Sequence, residues 1–554
     1  MPIKKRDSEF RIPKVSYFHW NHTEMDRVLT MLFPRLWFDG FGSRKPARTA
    51  LLQPEQFVDE MLLKDSYFHD FDKYKSIVEK WVETDLLDMV NRGKANQIVA
   101  APRPLHGATY KFRNAKHCRD YGTAEQIYWM LHFSRHGLGD RVCADLKQFF
   151  FKGINPNTQK LENDVNVDVE TQTLLRFNEQ VNDSLRESIP PEKYEPVCIG
   201  RSDIMAEDIQ KLLAYEPYIP RSVMVDYLKT LLAFHLALYH LALLRILPVL
   251  VKQKCGNDFC NKKNCPVSSG SDNPLKDCPY QMSLVVDMGN SNNQRMADLA
   301  EASADRLYRQ IPVFIQANYT VKKLDEMAEY LRKKNSPLLS SNDTLTVENL
   351  VSMLKSEYDD EREAYFRARL AGIIDEETRE DIDPEIRDVL KLKLPEFESF
   401  VEILMAARGK YHQQYITECF DSMLLKNKEN GLLVQSRKKG SSRRFVMGSK
   451  LLEALLQIAV LKVEKGRFVS NSIRVDELLT VFRNRYGLYI DKLPEDNSYD
   501  NSIYDRQALR VNVETFKRRI REIGFYEDLS DAYVAQKIIP RYIIDSEHDD
   551  GKQV

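Results

Sequence analysis

The sequence predicts a mainly α-helical, multidomain protein with a C-terminal winged-helix-type domain and a small α/β element in its middle. Three observations carry this reading. The chain has 554 residues, 43% of them hydrophobic, which is more than one ordinary domain needs and enough for real cores. Apolar residues recur at three- and four-residue spacing through the first 150 positions. The last hundred residues present helix, helix, helix and strand in that order.

The N-terminal region, 1–154, reads as helical. Val28, Leu29, Leu32 and Leu36 make one stripe, and Ile77, Trp81, Leu86 and Leu87 make a second. The polar stretch 155–170 reads as a loop, and Ile189-Pro190-Pro191-Glu192 as a break. A middle region, 171–335, follows. Its most apolar segment, 223–251, contains Asp226, Lys229, His235, His240 and Arg245. No 18-residue uncharged run survives there, so a buried core helix is expected, with no membrane partner. Residues 282–286 then read as a strand, 295–309 as a helix and 313–315 as another strand, which would make the α/β element.

Net charge is −1, so the chain does not coat nucleic acid by bulk positive charge, and any DNA contact must be local. Charge is distributed unevenly in the charged helical region 345–448. Residues 359–388 hold 12 acidic and 5 basic side chains, whereas 406–450 hold 10 basic and 3 acidic. Such blocks serve equally as solvated helix faces or as a phosphate-engaging surface with an acidic mask. Within the basic block, Arg437, Lys438, Lys439, Arg443 and Arg444 flank Gly440-Ser441-Ser442. They read as a basic arm, or as the wing or loop of a preceding domain.

The segment 449–545 supplies the parts of a winged helix. Ser449 is placed to cap a helix with Leu451, Leu452, Leu455, Ile458, Ala459 and Leu461 on its apolar face. A short strand at 467–469 follows, then a helix marked by Val475, Leu478, Leu479 and Phe482 and stopped by Gly487. After a polar loop, 491–505, a third helix is expected from a cap at Asn512 to a stop at Gly524. Val513, Phe516, Ile520 and Ile523 form its buried stripe, leaving Lys517, Arg518 and Arg521 exposed to neutralise phosphates or read guanine. Residues 533–539 complete the wing. A solvated face on a protein-binding module is the competing interpretation.

Cys255, Cys260, Cys265 and Cys278 concentrate half of the eight cysteines within 24 residues. Four thiolates on a Gly- and Pro-bearing loop suit a closed, structural zinc site, and four reduced thiols are the plain alternative. No export signal follows the basic start of the chain, so reduced thiols and a cytoplasmic location are expected.

Catalytic signatures are weak. His132 and His136 have metal-pair spacing without the intervening H-E-x-x-H glutamate, and His235 and His240 sit in the apolar helix. The turn Asp287-Met288-Gly289-Asn290-Ser291 is similar to a phosphate-binding turn and equally to a helix start. Asp145-Leu146-Lys147 carries a nuclease-type D-x-K within a helical pattern. Walker, kinase, G-x-S-x-G and methyltransferase motifs are absent.

Residues 25–57, Trp81-Val82-Glu83-Thr84-Asp85-Leu86-Leu87-Asp88 and 524–542 together resemble a component of bacterial methylation-associated antiphage defence systems. The resemblance implies a setting of self versus foreign DNA discrimination, alongside other defence subunits, and brings no active-site residues. The combined expectation is a non-enzymatic, DNA-engaging accessory subunit. A protein-docking scaffold and a metal-dependent nuclease acting through Asp145 are the alternatives.

Overall fold

The computed structural model describes residues 3, 6–42, 53–63, 68–155, 162, 166–179, 192–254, 265–267, 274–275, 277–290, 292–339, 345–375, 384–438, 440–496, 499–526 and 537–544. Among these the protein is mainly helical, with short strands.

Helix α1 (Met25–Trp37) buries the predicted Val28, Leu29, Leu32 and Leu36. The short α2 (Pro54–Gln56) and α3 (Lys75–Trp81) precede an antiparallel pair, β1 (Leu87–Val90) with β2 (Ile98–Pro102). Here the predicted helical stripe fails. Ile77 is exposed, and beyond Trp81 the chain loosens into a π turn, then becomes a strand at Leu87. Helices α4 (Thr123–His132) and α5 (Leu138–Phe150) pack on α1, and α6 (Val169–Glu179) follows.

Next come α7 (Ile199–Leu213) and the 33-residue α8 (Arg221–Gln253). By length and composition α8 could cross a membrane, but 78% of its most apolar window is buried within the protein. Helices α7, α10 (Ile311–Lys333), α14 (Glu396–Met423) and α15 (Ser449–Ala459) surround it, which is why it is apolar on every side. Its polar residues are accounted for by partners: Lys229 reaches Asp26 at 2.8 Å, and His240 Nδ1 lies 2.8 Å from Leu236 O.

Strand β3 (Leu284–Val285) and α9 (Gln294–Tyr308) appear where the sequence placed a strand and a helix. The second strand does not. Residues 313–315 lie in the first turn of α10 (Ile311–Lys333), where Pro312 starts the helix. Three apolar residues in a row cannot distinguish a strand from a buried helical turn. Here Val313 is exposed while Phe314 and Ile315 are buried.

The acidic block forms much of α12 (Asp359–Asp375) and α13 (Pro384–Lys391), which follow α11 (Val347–Ser352) and pack on α14 (Glu396–Met423). Several of its carboxylates have internal tasks. Glu363 accepts from the Glu396 and Phe397 amides at the start of α14, and Asp359 holds Arg362 at 2.5 Å. Glu385 joins the blocks directly, pairing with Lys410 at 2.7 Å.

The C-terminal part begins with a hairpin, β4 (Leu433–Gln435) with β5 (Arg443–Phe445), then α15 (Ser449–Ala459). Gly448, not Ser449, holds the cap position. A second hairpin joins β6 (Leu461–Glu464) to β7 (Arg467–Ser470). Its turn, Lys465-Gly466, has φ of 50° and 77°, a two-residue hairpin turn needing positive φ twice. Strand β8 (Ile473–Arg474), α16 (Val475–Val481), a π turn and β9 (Leu488–Tyr489) follow. Gly487 ends the π turn at φ 81°, and a Cβ there would stand 2.1 Å from Met282 O.

The last helix, α17 (Ile503–Glu522), starts nine residues before the expected cap at Asn512. Ser502 and Asp505 form a capping box instead, each side chain accepting from the other's amide. Strand β10 (Lys537–Ile538) pairs antiparallel with β8, and Tyr526 bridges Ile538 on the other edge. The expected strand at 533–539 falls partly outside the described residues. One apolar cluster runs from Ile3 to Ile544 and includes Phe10, Ile12, Val15, Tyr17, Phe18 and Trp20 of the N-terminal segment.

Candidate nucleic-acid interface

Helix α17 is positioned by polar groups in its middle. Asn512, buried, donates Nδ2 to Val286 O and to Ile490 O, both at 2.9 Å, and its Oδ1 accepts from Met288 N at 2.7 Å. It thus closes the ends of β3 and β9, which pair in parallel. Arg519 donates to Met288 O at 3.2 Å and to Met447 O at 2.6 Å, and Asp505 takes Arg295 of α9 at 2.6 Å. An Asn in a helix interior is read from sequence as a cap because its side chain competes locally for backbone groups. Here that capacity is spent on other segments. Replacing Asn512 with Leu leaves three buried backbone groups unpaired and is expected to cost about 3 kcal/mol. Hydrogen exchange at the amides of 286–288 is expected to accelerate in that variant.

Phe516 and Ile520 are fully buried under α17, and Val513 and Ile523 pack beside them. Of the expected contact residues, Arg518 and Arg521 are exposed. Lys517 is half-buried and tied to Glu514 at 2.8 Å. Arg521 lies over the Tyr526 ring, 5.4 Å from its centre. The same face carries Arg510, which the sequence reading passed over because the helix was started too late. Among the described residues, Arg510 and Arg518 have no ion-pair partner.

Of the basic arm, Arg437 and Lys438 lie in the connection of the β4–β5 hairpin, and Arg443 and Arg444 lie on β5. Gln435 Nε2 donates to Ser441 O at 2.8 Å, Ser441 Oγ donates to Ser436 O at 2.6 Å, and Asn427 brackets Gln435 from the side. Arg437 and Lys438 are exposed at this turn, while Lys439 lies outside the described residues. Arg443 is committed elsewhere. It makes a two-pronged pair with Asp421 at 2.7 and 2.8 Å and stacks over Tyr308, which raises its pKa. Hydrogen bonds from Arg443 and Lys426 in turn overcome burial and hold the Asp421 carboxyl below its usual range. Arg444 is half-buried.

Two grooves run along α17. One, of about 710 Å³, is lined by Asn292, Asp491, Arg510, Glu514, Thr515 and Arg518. The other, of about 580 Å³, includes Gly289, Lys428, Val434, Val446, Arg518 and Glu522. Asn292, Thr515 and Arg518 belong to both, so the surface continues from α17 to the base of the basic hairpin. Its charge is mixed: Lys428, Arg510, Arg518 and Arg519 alternate with Glu429, Asp491, Glu514 and Glu522.

The phosphate-like turn is a helix start. Asp287 Oδ1 accepts from Gly289 N at 2.7 Å, and Asn293 caps α9 through Met296 N at 3.1 Å. His132 ends α4, whereas His136 sits in the next turn at φ 59°, so the two do not share a helix face. Asp145 and Lys147 both lie within α5, with Lys147 bonded to Trp37 O at 3.0 Å. Cys265 and Cys278 are half-buried free thiols, and Cys255 and Cys260 lie outside the described residues. Among the described residues no three potential ligands stand ready around a metal ion.

Comparison with protein families places this architecture. The family described as methylation-associated defense system protein MAD7 matches residues 5–542. The chain belongs to that family. It is therefore a component of an antiphage defence system, as the sequence resemblance implied. Neither the curated proteins nor the solved structures give a significant match.

Proposed function

We propose that this family member is a non-enzymatic, cytoplasmic subunit that contacts DNA within a methylation-associated defence assembly, through α17 and the β4–β5 hairpin. The observation that carries the reading is that Arg510 and Arg518, on the outer face of a helix that reads as the third helix of a winged helix, have no ion-pair partner among the described residues. The order α15, β8, α16, α17 and β10 supports that assignment, as does the pairing of β10 between β8 and Tyr526. In such a fold the third helix is the one offered to the major groove, and exposed arginines on it meet phosphates and guanine edges. Arg437, Lys438, Lys439 and Arg444 of the hairpin add phosphate contacts, and Arg521 extends the row. Lys517 contributes less because Glu514 already holds it. A structural zinc ion at the cysteine loop braces the middle of the chain, and other defence subunits occupy the remaining surface.

Duplex DNA affinity of the full chain, measured by fluorescence anisotropy across a salt series, tests the reading. Arg510→Gln combined with Arg518→Gln is expected to weaken binding at least tenfold at low salt. The logarithmic salt slope falls by about 1.8, because each phosphate contact contributes about 0.9. Unchanged affinity and slope in this double variant would remove α17 as the DNA face.

One observation favours a second reading, docking of a protein partner. Ile503 and Tyr504, at the start of α17, are 81% and 75% exposed. Val511 is exposed too, and phosphate binding has no use for these apolar groups. Ile503→Asp with Tyr504→Asp is expected to release a partner subunit in co-purification while leaving the DNA salt slope intact. Loss of DNA binding in that variant would tie the apolar end to DNA instead.

A further inference from the structure

The outer face of α14 carries an aromatic surface that the contact on α17 does not use. Arg408, Tyr411 and Tyr415 follow one another at three- and four-residue spacing, which brings them onto one face of the helix. The two tyrosine rings lie 4.5 Å apart between centroids, tilted by 42°, and together form one aromatic surface. Arg408 lies over the Tyr411 ring, 5.8 Å from its centre, and has no ion-pair partner among the described residues. Tyr411 is 49% exposed, and neither tyrosine belongs to the apolar core. Packing of the fold therefore does not account for this pair.

Neighbouring rings brace the surface. His412 meets the Tyr411 ring edge-on at 5.2 Å and stacks on Phe10 at 4.2 Å. Phe10 in turn meets Tyr319 of α10 at 5.0 Å, and both are buried. Rings held in this way lose little freedom when a planar group is laid on them. The stretch 408–415 contains no aliphatic side chain, and its other exposed groups are Lys410, Gln413 and Gln414. A docking helix would need apolar ridges to pack against. A nucleobase needs an aromatic face, a nearby cation and amides for its edge. The stretch also lies in the basic block 406–450, with 10 basic and 3 acidic residues, which continues into the β4–β5 hairpin. Glu385 already holds Lys410, and Glu418 accepts from Gln414 at 3.0 Å, so Arg408 is the cation free to serve a ligand.

We propose that the Arg408, Tyr411 and Tyr415 face of α14 is a stacking platform for the unpaired bases of a nucleic-acid strand. Inside a duplex the base faces are covered by their neighbours, so this surface fits a strand that is single or locally opened. One base stacks on the exposed Tyr411 ring, Tyr415 extends the surface towards the next, and Arg408 meets the backbone phosphate. Every base offers a π face, so the platform reads strandedness and not sequence. The inference goes beyond the duplex contact on α17 and does not depend on it.

Binding of the full-length protein to a short labelled oligothymidylate, with an abasic strand of equal length as competitor, tests the platform. Both strands carry the same phosphates, so the difference between them isolates the bases. The wild-type chain is expected to prefer the base-bearing strand by at least about fivefold, the gain from one stacked base. That ratio persists as salt is raised, because the phosphate contribution cancels. Tyr411→Leu with Tyr415→Leu abolishes the preference, whereas Tyr411→Phe with Tyr415→Phe keeps it. A ribose strand run in parallel identifies the sugar accepted, and a base preference on either strand supports the platform. Arg510→Gln with Arg518→Gln is expected to keep the preference while losing duplex affinity, which separates failure of this site from failure of α17. Equal affinity of the wild-type chain for base-bearing and abasic strands would overturn the platform, and that result does not depend on any variant folding. A base preference untouched by the leucine pair would overturn it too. Release of a partner subunit by the leucine pair, without base preference in the wild type, would assign the face to protein docking instead.

Discussion

Replacing Asp208 with Ala is expected to lower folding stability by about 3–5 kcal/mol, the cost of stranding a buried charge. Asp208 is fully buried on α7, where its Oδ1 accepts from Arg485 Nε at 3.0 Å and Nη2 at 2.5 Å. Its Oδ2 accepts from Tyr486 Oη at 2.8 Å and lies 3.0 Å from His235 Nε2 on α8. Arg485 also meets Glu207 at 3.0 Å. Burial alone would raise the Asp208 pKa, but the Arg485 charge and the His235 contact win and hold the carboxyl well below its usual range. The group therefore stabilises the fold above the ordinary carboxylate range and loses that contribution as pH falls below about 4.

This network joins α7 and α8 to the π turn after α16, so its loss should loosen the C-terminal part from the central helices. The midpoint of urea unfolding measures the effect. The pair Asp208→Leu with Arg485→Met supplies the control, because replacing both charges by apolar groups is expected to recover most of the loss. A double variant as unstable as the single one would mean that packing, and not the stranded guanidinium, dominates.

The second large effect is pH-dependent. Burial lowers the pKa of His106 from 6.5 to about 3, with Arg221 adding to it. It lowers that of His240 to about 4, and burial with the nearby Arg408 lowers that of His412 to about 4. His106 and His240 have defined neutral roles. His106 Nδ1 accepts from Ala108 N at 3.1 Å with Nε2 3.0 Å from Lys152 O, while His240 Nε2 lies 3.0 Å from Ser16 Oγ. His412 stacks on Phe10 at 4.2 Å.

Below pH 6.5 the unfolded chain gains a proton on each histidine that the folded chain refuses. Stability therefore falls as pH drops through 6.5 and continues falling towards each folded value. Between pH 7 and 5 each fully buried histidine accounts for roughly 2 kcal/mol, and the part-buried His412 for less. The total is a loss of about 4–5 kcal/mol over that interval. Urea unfolding at pH 7, 6 and 5 measures it. His240→Gln is expected to flatten the dependence by about 2 kcal/mol, and an unchanged profile would show that His240 titrates normally.

The sequence disclosed elements whose signal was periodic. The stripe Val28, Leu29, Leu32, Leu36 became α1, the apolar run at 223–251 became the central helix, and Gly487 ended its turn at positive φ. It failed where one residue type had two uses. Asn512 has a cap's chemistry, yet its amide joins three distant backbone groups, and Ser502 and Asp505 cap the helix instead. Lys465-Gly466 went unread as a hairpin turn because the flanking strands, 461–464 and 467–470, carry lysine, glutamate and arginine on an exposed surface.

For the candidate site, Arg518 and Arg521 emerged on the exposed face as expected, while Arg443 did not, since Asp421 lies 22 positions away in sequence and beside it in space. Long-range partners of this kind leave no local trace.

The proposed DNA contact runs along α17 and the β4–β5 hairpin. Hydrogen exchange of the full chain, with and without duplex DNA at low salt, tests it most directly. Slowed exchange is expected in peptides covering 433–445 and 503–522, with the protection abolished as salt is raised. Protection confined to other segments, or none at concentrations where DNA is bound, would contradict it.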